Sequence, residues 1–266
     1  MIPVDAEVLR AIVPRFSGAK AEAQARIIDA IDGTIQSTLA QYKIDTRLRV
    51  AHFLAQVIHE SAGMRTTEEF ASGQAYEGRA DLGNVKPGDG RRYKGRGLLQ
   101  LTGRANYRRF GQKLGVNLEE EPTLAAEPKL SLTIACEYWA DRKINPNCDA
   151  DDLIAVTRKV NGGLNGLADR RQLLVKAKAA LARVEGIVVA SSAPADAKPV
   201  LRRGSQGDAV GELQTLLRKA GFPLAIDQDF GAATELAVMG VQKDARLTAD
   251  GIVGPPTWRA VEKRAA

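Results

Sequence analysis

Histidine is nearly absent: the 266 residues contain two, His52 and His59. His59-Glu60 opens like the paired-histidine helix of zinc proteases, but Gly63 stands where the second histidine belongs. This excludes a histidine-rich zinc site and moves the chemistry onto carboxylates; no metal and no cofactor is expected. Cysteine is equally scarce. Cys136 and Cys148 allow one bridge at most, and Cys136, in an apolar run, reads as a small buried hydrophobe. No stretch approaches the roughly 20 apolar residues of a spanning helix, so no stable membrane association is expected. The opening residues, Met1-Ile-Pro-Val-Asp-Ala-Glu-Val8, put acids where an export signal wants bases and an apolar run. The expected place of synthesis is the cytoplasm, without a signal peptide.

What is present is ordinary for a folded chain: 44% hydrophobic and 26% charged residues, with 25 Gly and 11 Pro. That composition argues against disorder, collagen and a membrane bundle. The net charge of +6 is not concentrated in a tail. Of the 38 basic and 32 acidic residues, 10 and 8 lie from Lys198 onward. Such an excess suits a polyanion, nucleic acid or an anionic cell wall, and suits plain solubility equally well.

One stretch lacks large side chains: Val188-Val-Ala-Ser-Ser-Ala-Pro-Ala-Asp-Ala-Lys-Pro199. Its composition is that of a linker. It divides the chain into residues 1–186, a linker over 187–199, and a small part over 200–266. The larger part reads as helical. Thr46 to Ser61 carries Leu48, Ala51, Leu54, Ala55 and Ile58 at helical spacing, with Asp45 or Thr46 as cap and Gly63 as stop. Further helices are expected over 130–143, 152–160 and 169–184. Gly73 to Gly97 inclusive contains seven glycines and one proline, a long loop of the kind that carries function.

The smaller part contains a weak repeat. Leu213-Gln214 opens a unit closing with Phe230-Gly231-Ala-Ala-Thr234, and Val241-Gln242 opens another closing with Val253-Gly254-Pro-Pro-Thr257. Each Gly-x-x-Thr reads as a turn entering a helix, with Pro255 suited to a first turn. Asp208 can cap a helix bearing Val210, Leu213, Leu217 and Ala220. The result is three short helices without histidine, cysteine or an acid/base pair, which reads as a binder. Leu201-Arg-Arg-Gly-Ser-Gln-Gly207, Asp229-Phe-Gly231 and Asp250-Gly-Ile-Val-Gly-Pro-Pro-Thr-Trp258 complete a pattern over 200–264 that resembles the peptidoglycan-binding type 1 domain. The resemblance implies a three-helix module whose partner is bacterial peptidoglycan. One departure is Gly240, where the family usually has a bulky residue before the Val-Gln pair. Glycine there is expected to loosen the helix, at roughly 1 kcal/mol.

In the larger part, cleaving a glycosidic bond with inversion needs one carboxyl as acid and one as base. Glu60 closes an apolar helix, where partial burial and the negative end of the helix dipole both disfavour its charged form. That fits an acid. For the base, Glu68, Glu69, Glu77, Asp81 and Asp89 compete, and residue physics does not select among them. Arg91, Arg92, Lys94 and Arg96 read either as a nucleic-acid patch or as the solvated rim of a cleft.

The segments His59-Glu-Ser-Ala-Gly63 with Glu69, Tyr93-Lys-Gly-Arg-Gly-Leu-Leu-Gln-Leu-Thr-Gly-Arg-Ala-Asn-Tyr107 and Val160-Asn-Gly-Gly163 resemble glycoside hydrolase family 19. That family holds plant-type chitinases and phage endolysins, and the Ala75-Tyr-Glu-Gly-Arg79 loop is nearer the phage and bacterial branch. The resemblance implies a mainly α chain: a lysozyme-like helical catalytic domain plus the wall-binding module. It implies Glu60 as general acid, Glu69 as general base, and Thr102 as holder of the attacking water. His59, Tyr93, Gln100, Asn106 and Asn161 are implied at the substrate, with Arg170 beside the acid. The expected activity is that of an endolysin cutting β-1,4 bonds of peptidoglycan with inversion. A chitinase and a non-catalytic wall binder are the alternatives. A monomer that does not bind nucleic acid is expected, held in the host cytoplasm until the membrane is breached and then acting on the wall.

Overall fold

The computed structural model describes residues 2–191 and 198–266, the side chains of 186–191 excepted. They form two compact units, residues 1–184 and 185–266. Among the described residues there are helices and no strand, only isolated β-bridges.

The larger unit begins with α1 (Ala6–Ile12) and α2 (Ala19–Gln41), which lead into α3 (Arg47–Glu60). α3 starts where expected: the Thr46 side chain accepts a bond from the Arg49 amide at 3.3 Å. Every residue of α3 from Val50 to Ile58 is buried, His52 and Gln56 included, so this helix is the unit's axis. Its end is abrupt. Ala62, Gly63 and Met64 all take positive φ (52°, 80° and 61°). At Gly63 a β-carbon would stand 2.7 Å from the Pro14 ring, so only glycine lets the chain turn back there.

Within the loop lies α4 (Asp89–Arg92), and after it come α5 (Arg104–Leu114), α6 (Pro128–Asp141), α7 (Asn145–Asp149), α8 (Leu153–Asn161) and α9 (Leu167–Ser191). α2 packs along α6, while α7 and α8 pack on α3. A smaller core of Tyr93, Leu101, Tyr107, Phe110 and Leu118 underlies the loop region. The expected helices over 130–143, 152–160 and 169–184 correspond to α6, α8 and α9. α9 runs to Ser191, so residues 187–191 of the expected linker are helical; residues 192–197 lie outside the described ones. At its far end, Lys198 pairs with Glu212 and Glu262 and the Pro199 carbonyl accepts from Trp258, so both belong to the small unit.

That unit consists of α10 (Asp208–Lys219), α11 (Ala232–Asp244) and α12 (Pro255–Ala265) around Val210, Leu213, Leu217, Phe230, Val238, Val241 and Trp258. Asp208 is the first residue of α10 rather than its cap; Gly207 holds the cap position without a side-chain bond. The repeat has a physical basis. The buried Gln214 amide donates to Asp227, the Asp229 carbonyl and Thr234. Gln242 does the same to Asp250, the Ile252 carbonyl and Thr257. Each glutamine thus ties a loop to the start of the next helix. Gly240 also finds its reason: a β-carbon there would lie 2.8 Å from the Phe222 ring, which packs on that side of α11.

Candidate active site

The last residue of α3 meets the start of α9. Arg170, fully buried, donates to Glu60 Oε1 at 2.5 Å, to Gln56 Oε1 at 2.5 Å and to the Asn165 carbonyl at 3.1 Å. Gln56 in turn donates to Thr157 of α8 at 3.2 Å. Glu60 keeps a side-chain exposure of 19%, so it is anchored from below and open at one edge. His59 pairs with Asp169 at 2.5 Å and packs so closely on Gly166 that a β-carbon there would fall 2.2 Å from the imidazole. Its place in the fold is therefore as a tie between α3 and α9.

The second cluster is built from the loop. Glu68 bridges to Arg96 in antiparallel fashion, and the Glu69 amide donates to the Gly95 carbonyl at 3.0 Å. The Glu69 carboxylate accepts from the Gly95 amide at 2.7 Å and from the Tyr76 hydroxyl at 3.0 Å. Burial, reinforced by Glu69, pushes the Tyr76 phenol up, so it stays protonated as a donor. A β-carbon on Gly95 would lie 2.8 Å from Gln100 Oε1, 3.3 Å from Glu69 Cδ and 3.3 Å from Thr102 Oγ1. Three polar groups therefore ring one point that the missing side chain leaves open. Gln100 holds φ of +52°, a costly conformation for a non-glycine residue. Asn106, on the first turn of α5, fixes the Thr102 carbonyl at 2.8 Å.

The competing carboxylates have other employment. Glu68 is paired with Arg96 at 3.0 Å and Lys94 at 3.3 Å, and Asp81 with Arg79 at 2.6 Å. Asp89 is buried against Arg104, while Glu77 accepts from the amides of Gly88 and Gly90. Glu69 has no ion pair among the described residues. The basic run is likewise consumed: Arg92 meets Glu120, Lys94 and Arg96 share Glu68, and Arg91 donates to Gln74. It does not form an open patch of free cations.

Tyr93 requires a correction. It is 1% exposed, its hydroxyl donates to the Glu119 carbonyl at 2.9 Å, and its ring packs on Tyr107. Its large apolar ring serves the small core instead of an open groove. Asn161 ends α8 with its side chain exposed, facing the Gly162-Gly163 turn. Sequence reasoning passed over Tyr76 and Gln56. The available signal for Gln56 was a polar residue within the apolar run Phe53–Ile58, one turn before Glu60. Both cysteines are free and buried, and burial pushes the Cys148 thiol up to about 12, which disfavours a thiolate nucleophile. Among the described residues no three His, Cys, Asp or Glu side chains converge as metal ligands.

Comparison with known proteins identifies the family of each part of the chain. The family model described as chitinase class I, glycoside hydrolase family 19, matches residues 27–161. The model of a putative peptidoglycan binding domain matches residues 206–261. A glycosyl hydrolase family 19 domain-containing protein of Haemophilus influenzae is 32% identical over 178 residues, covering 54% of this chain and 87% of that protein. The zinc D-Ala-D-Ala carboxypeptidase of Streptomyces albus G is 47% identical over 66 residues, 23% of this chain and 25% of that one. Among solved structures, chitinase C from Streptomyces griseus HUT6037 superposes with a TM-score of 0.51 at 20% identity, covering 67% of this chain and 92% of that one. This last likeness establishes the lysozyme-like helical fold. With half the chain matched by one family model and most of the Haemophilus protein spanned, the chain belongs to glycoside hydrolase family 19 and is a glycoside hydrolase carrying a peptidoglycan-binding module.

Proposed function

We propose that the protein is an endolysin-type enzyme that hydrolyses the β-1,4 bonds of bacterial peptidoglycan with inversion. The observation that carries the reading is the ring of Glu69, Gln100 and Thr102 around Gly95, in a chain that also holds a wall-binding module. In this reading Glu60 gives its proton to the leaving oxygen as the C1–O bond breaks. Glu69 takes a proton from a water held by the Thr102 hydroxyl, and the remaining hydroxide forms the new bond at C1 from the opposite face. Tyr76 and the Gly95 amide aim the base, while Arg170 and Gln56 aim the acid. Gln100, Asn106, Asn161 and His59 border the glycan. The module raises the local concentration of the enzyme on an insoluble substrate without altering the chemistry. Synthesis in a host cytoplasm, followed by access to the wall after membrane breach, completes the reading.

Glu60→Gln and Glu69→Gln should each lower release of soluble wall fragments by about a hundredfold or more, whereas Glu68→Gln should retain turnover. Clearing of purified walls at the wild-type rate by Glu60→Gln would remove the acid assignment. The second reading, a chitinase, is favoured by the family description and by the Streptomyces structure. Reducing ends released from chitin but not from peptidoglycan would establish it. Mass spectrometry of the wall digest identifies the bond, and 1,6-anhydro ends would overturn hydrolysis.

A further inference from the structure

The segment joining Glu60 to Glu69 carries a cation without a carboxylate. Around it, Lys94 and Arg96 meet Glu68, Arg104 meets Asp89 and Glu119, and Arg170 meets Glu60. Arg65 makes no ion pair among the described residues, and its Nε is buried with no hydrogen-bond partner. Its guanidinium lies instead over two aromatic rings, 5.3 Å from the centroid of Phe16 and 5.5 Å from that of Phe70. A ring contact uses none of the guanidinium N–H groups as a hydrogen bond to a carboxylate, and those groups bind carboxylates in bidentate fashion.

Phe70 adds the second half. It directly follows Glu69 and is 77% exposed, the most exposed of the large hydrophobic residues described. The backbone that presents it is held in place, since the Lys94 ammonium donates at 3.3 Å to the carbonyls of both Glu69 and Ala71, on either side of Phe70. On the other flank, Phe16 is locked by Gly63, where a β-carbon would lie 3.0 Å from the Phe16 ring. A fixed, uncovered aromatic face beside an unpaired, oriented cation suits a ligand with an apolar surface and a carboxylate.

We propose that Arg65 and Phe70 form a subsite for a carboxylate borne by the glycan strand, and thereby select peptidoglycan over an uncharged aminosugar polymer. The proposal rests on the reading of Glu60 and Glu69 as the acid and base of a wall glycosidase. Two carboxylate sources share this chemistry: the acidic stem peptide, and the lactyl ether once the peptide is removed. In the subsite the guanidinium edge takes the carboxylate, and the Phe70 ring carries the adjacent sugar face or peptide methyl groups.

The test uses the full-length enzyme and three substrates from one wall: intact peptidoglycan, glycan stripped of stem peptides, and stripped glycan whose lactyl carboxyl has been converted to an amide. Arg65→Gln should lower kcat/KM on a carboxylate-bearing glycan, relative to the amidated one, by roughly tenfold or more, chiefly through KM. A relative loss on intact peptidoglycan alone assigns the stem peptide; a relative loss on stripped glycan assigns the lactyl group. Arg65→Lys should recover part of the selectivity, and Phe70→Ala should raise KM on all three. An equal fall on all three substrates with Arg65→Gln, or no fall on either charged one, overturns the proposal. Should Glu60→Gln prove fully active, the catalytic reading fails by itself. Calorimetric binding of the charged and amidated glycans to wild type and Arg65→Gln then still decides the subsite, and equal affinities for both glycans refute it.

Discussion

Replacing Arg170 by methionine tests whether the acid is held as described. The substitution keeps an unbranched apolar stem but is shorter than arginine, and it removes three donated bonds and one charge. Arg170 is fully buried, so the acceptors it serves lose their donor inside the protein. Glu60, 19% exposed, loses its counter-ion, and the Gln56 carbonyl loses its donor. Breaking one side of a buried pair costs about 3–5 kcal/mol. A domain of this size shifts by about 2–4 °C per kcal/mol, so the larger unit should melt roughly 6–20 °C lower. Scanning calorimetry of the full-length protein reads that transition. Adding Glu60→Gln removes the stranded charge, so the double variant should lose less than the two singles together, by about 1 kcal/mol or more. A fall below about 2 °C for Arg170→Met, or strict additivity in the cycle, would refute the description of Arg170 as a desolvated anchor. In the activity assay, kcat should fall in Arg170→Met, because the acid is no longer aimed.

Three further outcomes follow from the geometry. Gly95→Ala places a methyl group on the point ringed by Glu69, Gln100 and Thr102, and should suppress wall hydrolysis with little change in melting temperature. The Arg108 and Arg104 guanidinium groups hold the Glu119 carboxyl down at about 2, so its contribution is complete above the ordinary value near 4.5 and is lost as pH falls toward 2. Urea midpoints measured down that range should flatten in Glu119→Gln. Gln242→Leu leaves the Gly251 amide without its acceptor and Asp250 without the amide donor, and should destabilise the small unit by about 1–3 kcal/mol while turnover on soluble wall fragments persists.

Much of this architecture is legible along the chain where neighbours in sequence are neighbours in space. α3 and a cap at Asp45 or Thr46 follow from helical spacing and capping chemistry, and the helix starts from Thr46. The glutamine repeat is visible because its partners lie 8 to 20 residues away. What escapes is set by long-range packing. Tyr93 reads equally well as a groove aromatic or a core aromatic until Glu119, 26 residues on, takes its hydroxyl. Glu68 and Glu69 are interchangeable by residue type; the antiparallel bridge to Arg96 directs one toward cations and the other toward Thr102. The expected linker starts inside a helix, because Ile-Val-Val-Ala-Ser is compatible with helix and α9 continues through it.

The paired glutamine clasps bear on how the small unit folds. Each closes a short loop, so most of its polar wiring has low contact order, and such chains fold in microseconds to milliseconds. The exception is the arm at Pro199 and Leu201, which reaches Trp258 and Val253 more than 50 residues away. Closing that span costs loop entropy that the local clasps do not. The two helix–loop segments should therefore form early and the arm dock last. Leu201→Ala would then speed unfolding while leaving the folding rate nearly unchanged, whereas Gln242→Leu would slow folding itself.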